Sequence, residues 1–331
     1  MAYLQEPMNR KAVIDCGTNT FNLRIVDFNE SLGPVRWKNV FSLRLPVKLG
    51  KGGVGKGIIL QERIMRGIDA IGVMREAILN YGATEVQIFA TSALRDASNS
   101  GDFVNPVFER FGYKVNIISG AAEASLIQSG LELTYQAPEN SNVLTMDIGG
   151  GSTECILWNN AEIIWSRSFD VGVARMANLF KKTDVFGSDA NEAYDDIKPY
   201  LEDILQPLKV ALKNVKPSVL VGSSGSFDTF SSVINPAEDD IKSEEHPPAI
   251  EIDLASFKKL CGEMMYNSLK DRLAMEGMPP DRAENIPYAA AIVRWALENS
   301  DIQQIYRSEY ALREGVLNRL SKGQTIVPGL A

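Results

Sequence analysis

Two aspartates occupy matching points in two near-copies of one motif. The first copy is Val13-Ile14-Asp15-Cys16-Gly17-Thr18-Asn19-Thr20, and the second is Thr145-Met146-Asp147-Ile148-Gly149-Gly150-Gly151-Ser152-Thr153-Glu154. In each, an apolar strand ends in aspartate, a turn of glycine and hydroxyl residues follows, and a second apolar strand begins, over 21–28 or 155–158. Glycine lets an oxyanion come close to backbone N–H donors, and carboxylates at strand ends suit a hard divalent cation. The chemistry implied is a phosphate clamp with its charge neutralised by a metal. Asp15 and Asp147 read as ligands of Mg²⁺ or of its water shell, and Glu154 is near enough in sequence to share the ion. A solvated strand residue is the plainer reading of Glu154. A single Gly149-Gly150-Gly151 would be a tight loop, but its recurrence about 130 residues from a first copy favours a functional reading.

Other reactive groups are sparse. The single histidine, His246, lies in Glu244-Glu245-His246-Pro247-Pro248 and reads as a solvated loop position, which sets aside most histidine chemistry. Cys16, Cys155 and Cys261 have no metal-ligand spacing, and their odd number speaks against a disulfide framework. They read as small buried apolar residues. Gly50-Lys51-Gly52-Gly53-Val54-Gly55-Lys56-Gly57 imitates a P-loop, yet Gly57 stands where a Ser or Thr would bind Mg²⁺. The expectation is a mobile basic loop beside the phosphate site, with Lys48, Lys51 and Lys56 supplying local attraction for a polyanion.

The elements that position these groups follow from the rest of the chain. At 331 residues, two domains are expected, and 45% apolar content can furnish both cores. A net charge of −8 speaks against general nucleic-acid binding, so an anionic ligand needs a focused site. No run approaches the roughly 18 apolar residues of a membrane span, and residues 1–11 are polar without an export-signal pattern. The expected location is the cytoplasm, away from membranes.

The first hairpin is followed by a predicted strand at 40–47 and a helix at 60–81. The helix has Ile64, Ile68, Ile71, Met74 and Ile78 on one face and Gly82 as its stop. A strand at 85–90, a helix at 101–111 closed by Gly112, a strand at 113–118 and a helix at 121–135 complete the first half. The second half loosely repeats this plan. Helices are predicted at 173–182 and 190–215, the latter interrupted by Pro199 and Pro207, and a strand at 218–221 opens through Gly222 to Ser226 into another helix. Residues 235–250 read as an exposed loop. Helices at 253–275, 281–299 and 311–320 and a strand at 303–308 follow. The last helix is a candidate to pack back on the first domain. This is an α/β pattern of two duplicated halves, mixed sheets flanked by helices, with a cleft between the halves.

The chain resembles the exopolyphosphatase and guanosine pentaphosphate phosphohydrolase family, a branch of the actin-like superfamily. The resemblance covers nearly the whole chain. Residues 15–20 are similar to the family's Asp-x-Gly-Ser-Asn-Ser motif, and Ala90-Thr91-Ser92-Ala93-Leu94-Arg95-Asp96-Ala97 to its next motif. Residues 147–154 form the most specific match. Residues 118–124, 221–226 and Leu312-Arg313-Glu314-Gly315-Val316-Leu317 are similar to further motifs.

The resemblance implies two actin-like, ribonuclease H-like domains, 1–122 and 123–308, with a helix at 309–322 joining the first. It implies removal of terminal phosphate from inorganic polyphosphate, with guanosine pentaphosphate as the alternative substrate in a stringent-response role. It also implies Mg²⁺ or another divalent cation such as Mn²⁺, and a homodimer. Glu123 is in the family's catalytic position, although an acid in a helix's first turn also needs no catalytic explanation. Arg95 can clamp phosphate because a guanidinium pairs two oxygens at once. Backbone N–H groups of Gly17, Thr18 and Asn19, of Gly149 to Ser152, and of Ser223, Ser224 and Gly225 complete the cradle, with the hydroxyls of Thr20 and Thr153 beside it.

Three departures bear on this. Ala122 stands where the family often has a second acid, Thr18 and Thr20 replace serines, and the chain lacks the His-Asp module of long members, which implies a weaker grip on long polyphosphate. An actin-like ATPase and a non-catalytic sensor of polyphosphate or an alarmone are the competing readings.

Overall fold

The computed structural model describes residues 9–29, 35–160, 162–180, 190–236 and 247–326. His246 and most of the acidic loop expected around it lie outside these residues, as do the last two residues of the helix expected at 173–182. The chain forms two compact units, residues 1–133 with 312–331, and residues 134–311. The boundary expected at 122/123 falls within a helix, Gly120–Leu131, that lies wholly in the first unit.

The first unit begins with β1 (Arg10–Cys16), β2 (Phe21–Phe28) and β3 (Trp37–Leu45), followed by α1 (Gln61–Tyr81) and β4 (Glu85–Ala90). The short α2 (Ser92–Asp96), α3 (Gly101–Phe111), β5 (Val115–Ile117) and α4 (Gly120–Leu131) follow. Its sheet has the order β3-β2-β1-β4-β5, with β1–β2–β3 antiparallel and β4 and β5 parallel to β1. Ala12, Val13 and Ile14 of β1 are all fully buried, because a strand covered on both faces needs apolar residues in succession rather than in alternation. The apolar stripe of α1 is buried as its spacing requires, and Gly82 ends the helix at φ 70°, a conformation open to glycine without steric cost.

The second unit contains β6 (Val143–Ile148), β7 (Thr153–Asn159), β8 (Glu162–Phe169), α5 (Val173–Leu179), α6 (Ala190–Ile204) and α7 (Gln206–Val215). It continues with β9 (Val219–Ser223), α8 (Ser224–Ile234), β10 (Ile250–Ile252), α9 (Leu254–Tyr266), α10 (Leu269–Leu273), α11 (Ile286–Glu298) and β11 (Gln304–Arg307). Its sheet order is β10-β11-β9-β6-β7-β8. Read from the other edge, β8-β7-β6-β9-β11 has the order and directions of β3-β2-β1-β4-β5, with β10 added. The internal duplication therefore extends from the two turns to both sheets, each with its own hydrophobic core. This is the mixed α/β, actin-like fold expected from the sequence.

Several boundaries differ. β8 was not anticipated, because a bulge at Leu157/Trp158 shifts its register and breaks the period of two. The helix expected at 281 begins at Ile286, where Pro287 can occupy the first turn without losing a helical hydrogen bond. Pro207 likewise sits in the first turn of α7, whereas Pro199 is accommodated inside α6. The helix expected at 253–275 divides at Asn267, where Ser268 starts α10 with a capping box to Asp271.

The last helix, α12 (Leu312–Ser321), returns to the first unit and packs on α4. A Cβ on Gly315 would lie 1.7 Å from Leu126 O, so the two helices approach at backbone distance. Asn318 Nδ2 donates to Ser129 O at 2.7 Å, and Arg319 Nη2 to Ser125 O at 3.0 Å. Glu314, with no exposed surface, forms an ion pair with Arg24 of β2 at 3.2 Å.

Candidate active site

In the first unit, β1 carries Asp15 to its end, where the chain must turn into β2. The turn closes by Gly17 N–H donating to Thr20 O at 3.1 Å. A Cβ on Gly17 would lie only 3.0 Å from that oxygen. Thr18 and Thr20 are buried, and the amides of Thr18, Asn19 and Thr20 have no protein acceptor among the described residues. Asp15 stands opposite Asn22 in the ladder, with Asn22 Nδ2 donating to Asp15 Oδ2 at 3.4 Å.

The glycine-rich loop lies against this turn. Lys48 N–H donates to Asn19 O at 2.7 Å and Gly50 N–H to Thr18 O at 3.0 Å. A Cβ on Gly50 would meet Thr18 Cγ2 at 2.5 Å, which accounts for one glycine of the P-loop-like run. Lys51 and Lys56 are exposed.

Glu123 is set by the cap of α4. Ser119 Oγ accepts from Ala122 N at 3.2 Å and Ser119 O from Glu123 N at 2.9 Å, which fixes the first turn. Arg95, on α2, donates from Nη1 to Glu123 Oε2 at 2.7 Å and to Ile118 O at 3.3 Å. The pair is largely desolvated, with side-chain exposures of 19% and 8%. Sequence neighbours 28 positions apart in number are thus brought into contact, and the helix N-terminus adds a favourable field for the carboxylate.

The second unit repeats the turn. Gly149 N–H donates to Ser152 O at 3.0 Å, matching Gly17 and Thr20. Asp147 pairs directly with Glu154 across β6 and β7, and the row continues through Ser168 on β8 and Ser223 on β9. Ser223 Oγ donates to Asp147 Oδ2 at 2.9 Å and Ser168 Oγ to Glu154 Oε1 at 2.7 Å. Thr153 is turned inward and donates to Val171 O, which gives its hydroxyl a structural partner. Ser224 and Ser226 both donate their hydroxyls to Ile148 O, holding the start of α8 against the turn.

Like charges directly opposite in a ladder repel, and a divalent cation bound between them would offset that repulsion. Mg²⁺ often takes only one or two carboxylates and completes its shell with water and substrate phosphate oxygens. Asp147 and Glu154 fit that pattern. Among the described residues no group of three or more acidic, histidine or cysteine side chains gathers for a metal, and Asp15 belongs to the first unit. The thiols are not nucleophiles, since burial, and then Asp15 or Glu154 respectively, pushes Cys16 and Cys155 well above the ordinary thiol range.

A family model described as the Ppx/GppA phosphatase family matches residues 29–323. The chain belongs to the Ppx/GppA phosphatase family. An exopolyphosphatase crystal structure from Cytophaga hutchinsonii is 30% identical, with 96% of this chain and 99% of that one covered and a TM-score of 0.88. A Haemophilus influenzae relative is 28% identical over 314 residues, 94% of this chain and 91% of its own. A Ppx/GppA enzyme of Aquifex aeolicus shares the fold at 22% identity, with a TM-score of 0.73 and 94% and 99% of the two chains covered.

Two arginines near the turns of this Ppx/GppA chain have no site role in the sequence reading, which only notes Arg282 at a helix start. Arg282 packs on the turn that opens α8, where a Cβ on Gly225 would lie 2.1 Å from its Nη2. Arg175, in the first turn of α5, donates from Nε to Gly151 O at 2.8 Å. The only local signals were an arginine beside Pro279-Pro280 and another after Gly172, neither specific on its own. Among the described residues no helix is long and apolar enough to cross a membrane.

Proposed function

We propose that this phosphatase-family chain removes terminal phosphate from inorganic polyphosphate, using Glu123 to activate water. The observation that carries this reading is the largely desolvated 2.7 Å pair between Arg95 and Glu123 at the N-terminus of α4. The exopolyphosphatase named for the Cytophaga hutchinsonii structure supports the choice of substrate.

Hydrolysis of a phosphoanhydride needs an aligned water, a base for its proton and donors around the transferring phosphoryl. Glu123 takes a proton from water as the water oxygen bonds to the terminal phosphorus. The bond from phosphorus to the bridging oxygen breaks, and that oxygen leaves on the shortened chain. Arg95 holds the carboxylate in place and brings a guanidinium, suited to pairing phosphate oxygens, to the same spot. The amides of residues 18–20, in the same unit as Glu123, supply further donors, and the second unit offers donors of the same kind at 150–152 and at the helix start Ser223–Gly225. Asp147 and Glu154 would hold Mg²⁺ or Mn²⁺, which would neutralise charge on a bound phosphate chain. A homodimer is part of this proposal.

The test is phosphate release from polyphosphate and from guanosine pentaphosphate, side by side, by the wild type and Glu123→Gln. The expected result is turnover of polyphosphate with higher kcat/KM and near-complete loss in the variant. Faster turnover of guanosine pentaphosphate would reassign the substrate. Full activity of Glu123→Gln would remove Glu123 from its role.

A further inference from the structure

We propose that Arg175 is a positioning residue for the second phosphate turn, orienting the Ser152 amide by holding the carbonyl of Gly151. The inference rests on the phosphohydrolase reading above and concerns a residue outside the set assigned there.

In a planar trans peptide the C=O of one residue and the N–H of the next point in opposite directions. Fixing a carbonyl from behind therefore aims the following amide forward. In the second turn all three carbonyls are held by one segment. Val173 N–H donates to Gly149 O at 3.0 Å, and Ala174 and Arg175 N–H to Gly150 O at 2.8 and 3.1 Å. Arg175 Nε donates to Gly151 O at 2.8 Å. The amides so aimed are those of Gly150, Gly151 and Ser152, which have no protein acceptor among the described residues. A Cβ on Gly172 would come within 2.7 Å of Gly150 C and 2.8 Å of Gly149 O, so only glycine permits this backing.

The first turn uses the same device with different atoms. Gly50 N–H holds Thr18 O and Lys48 N–H holds Asn19 O, which aims the amides of Asn19 and Thr20. By the correspondence of Asn19 with Gly151, the counterpart of the Arg175 Nε is the main-chain amide of Lys48. The first clamp therefore draws its donors from the main chain alone, whereas the second adds one guanidinium. Asp170 Oδ1 lies 3.8 Å from Arg175 Nη2.

The experiment compares wild type, Arg175→Met and Arg175→Lys in phosphate release from polyphosphate over a range of salt. Thermal unfolding and amide exchange at residues 150–152 are read alongside. Arg175→Met keeps the packing of the stem but lacks the donor, and should lower kcat/KM by about 10- to 100-fold, on the scale of one displaced transition-state donor. The salt dependence of KM should stay parallel to wild type, and the amide exchange at Ser152 should quicken. Arg175→Lys should fall well below wild type despite keeping the charge. If Arg175→Met fails to fold, Arg175→Lys carries the same criteria.

A kcat/KM within about twofold of wild type would overturn the proposal, judged against the roughly tenfold worth of one hydrogen bond. A markedly shallower salt dependence would also overturn it, because that marks a guanidinium bound directly to phosphate. Absence of phosphate release by the wild type from either substrate would instead sink the functional reading. In that case unchanged exchange at Ser152 would separately refute the clamp.

Discussion

Arg95, in the last turn of the short α2, and Glu123, in the first turn of α4, are joined Nη1 to Oε2 at 2.7 Å, with both side chains mostly out of water. The arginine thus holds the carboxylate, and in the proposed reaction it also receives phosphate. Glu123→Gln should lower kcat by about 10²- to 10⁴-fold, the usual worth of a general base. Arg95→Ala should lower kcat/KM by a comparable factor, and the double variant should be little worse than either single one, since the two act as a unit. Steady-state kinetics on folded variants check this, and additive losses would show that they work independently.

The facing of Asp147 and Glu154 across β6 and β7 predicts a requirement for a divalent cation. Chelation should abolish phosphate release, and Mg²⁺ or Mn²⁺ should restore it. Glu154→Gln removes one of the opposed charges and should raise the metal concentration for half-maximal activity by about tenfold or more, within the range for altered metal sites. Its thermal midpoint without metal should not fall, because the repulsion is relieved. Metal titration of activity and calorimetric unfolding decide the point, and unchanged metal dependence would argue against this pair as ligands.

Gly315→Ala should destabilise the first unit. Its Cβ would be 1.7 Å from Leu126 O, so α12 must move away from α4. A cost of about 1–3 kcal/mol or more is expected from overpacking against backbone. Because α4 also carries Glu123, activity should fall with stability. Urea unfolding at matched temperature tests this, and a neutral result would mean the helices separate easily.

Alkaline pH should weaken the fold. Burial raises Cys261 from an ordinary 9.0 to about 12 and pushes Cys16 and Cys155 upward as well. Above 9.0 the unfolded chain loses these protons while the native state keeps them, so unfolding releases protons and stability falls as pH rises toward about 12. Each thiol contributes up to about 1.4 kcal/mol per pH unit in that window. Urea midpoints measured at several pH values above and below 9.0 should decline accordingly. A thiol reagent at neutral pH should find all three cysteines only after denaturation.

The paired turns were legible because glycine, hydroxyl residues and a terminal aspartate recur in the same order, and local chain chemistry demands those types. The strands at 85–90 and the helix at 101–111 were legible for similar reasons, with Gly112 providing the stop at φ 73°. β8 was not, because exposed Ile163 and Ile164 stand together at an irregular edge and give no alternation. The helix expected from 281 begins only at Ile286, because the missing N–H of Pro287 confines that residue to a first turn. The roles of Arg175 and Arg282 depend on where distant carbonyls and glycines come to lie, which no spacing in one chain encodes. The Arg95–Glu123 contact was approached only through family resemblance, since the intervening strand β5 is what brings α2 and α4 together.

The return of α12 to the first unit has a consequence for biosynthesis. The second unit is one uninterrupted stretch, 134–311, and can close as soon as it has left the ribosome. The first unit must wait with the Leu126 side of α4 bare until residues 312–321 emerge. Nascent chains of this protein therefore mature in the reverse of their order of synthesis, and a stall before residue 312 should leave a chaperone-binding surface on the N-terminal half.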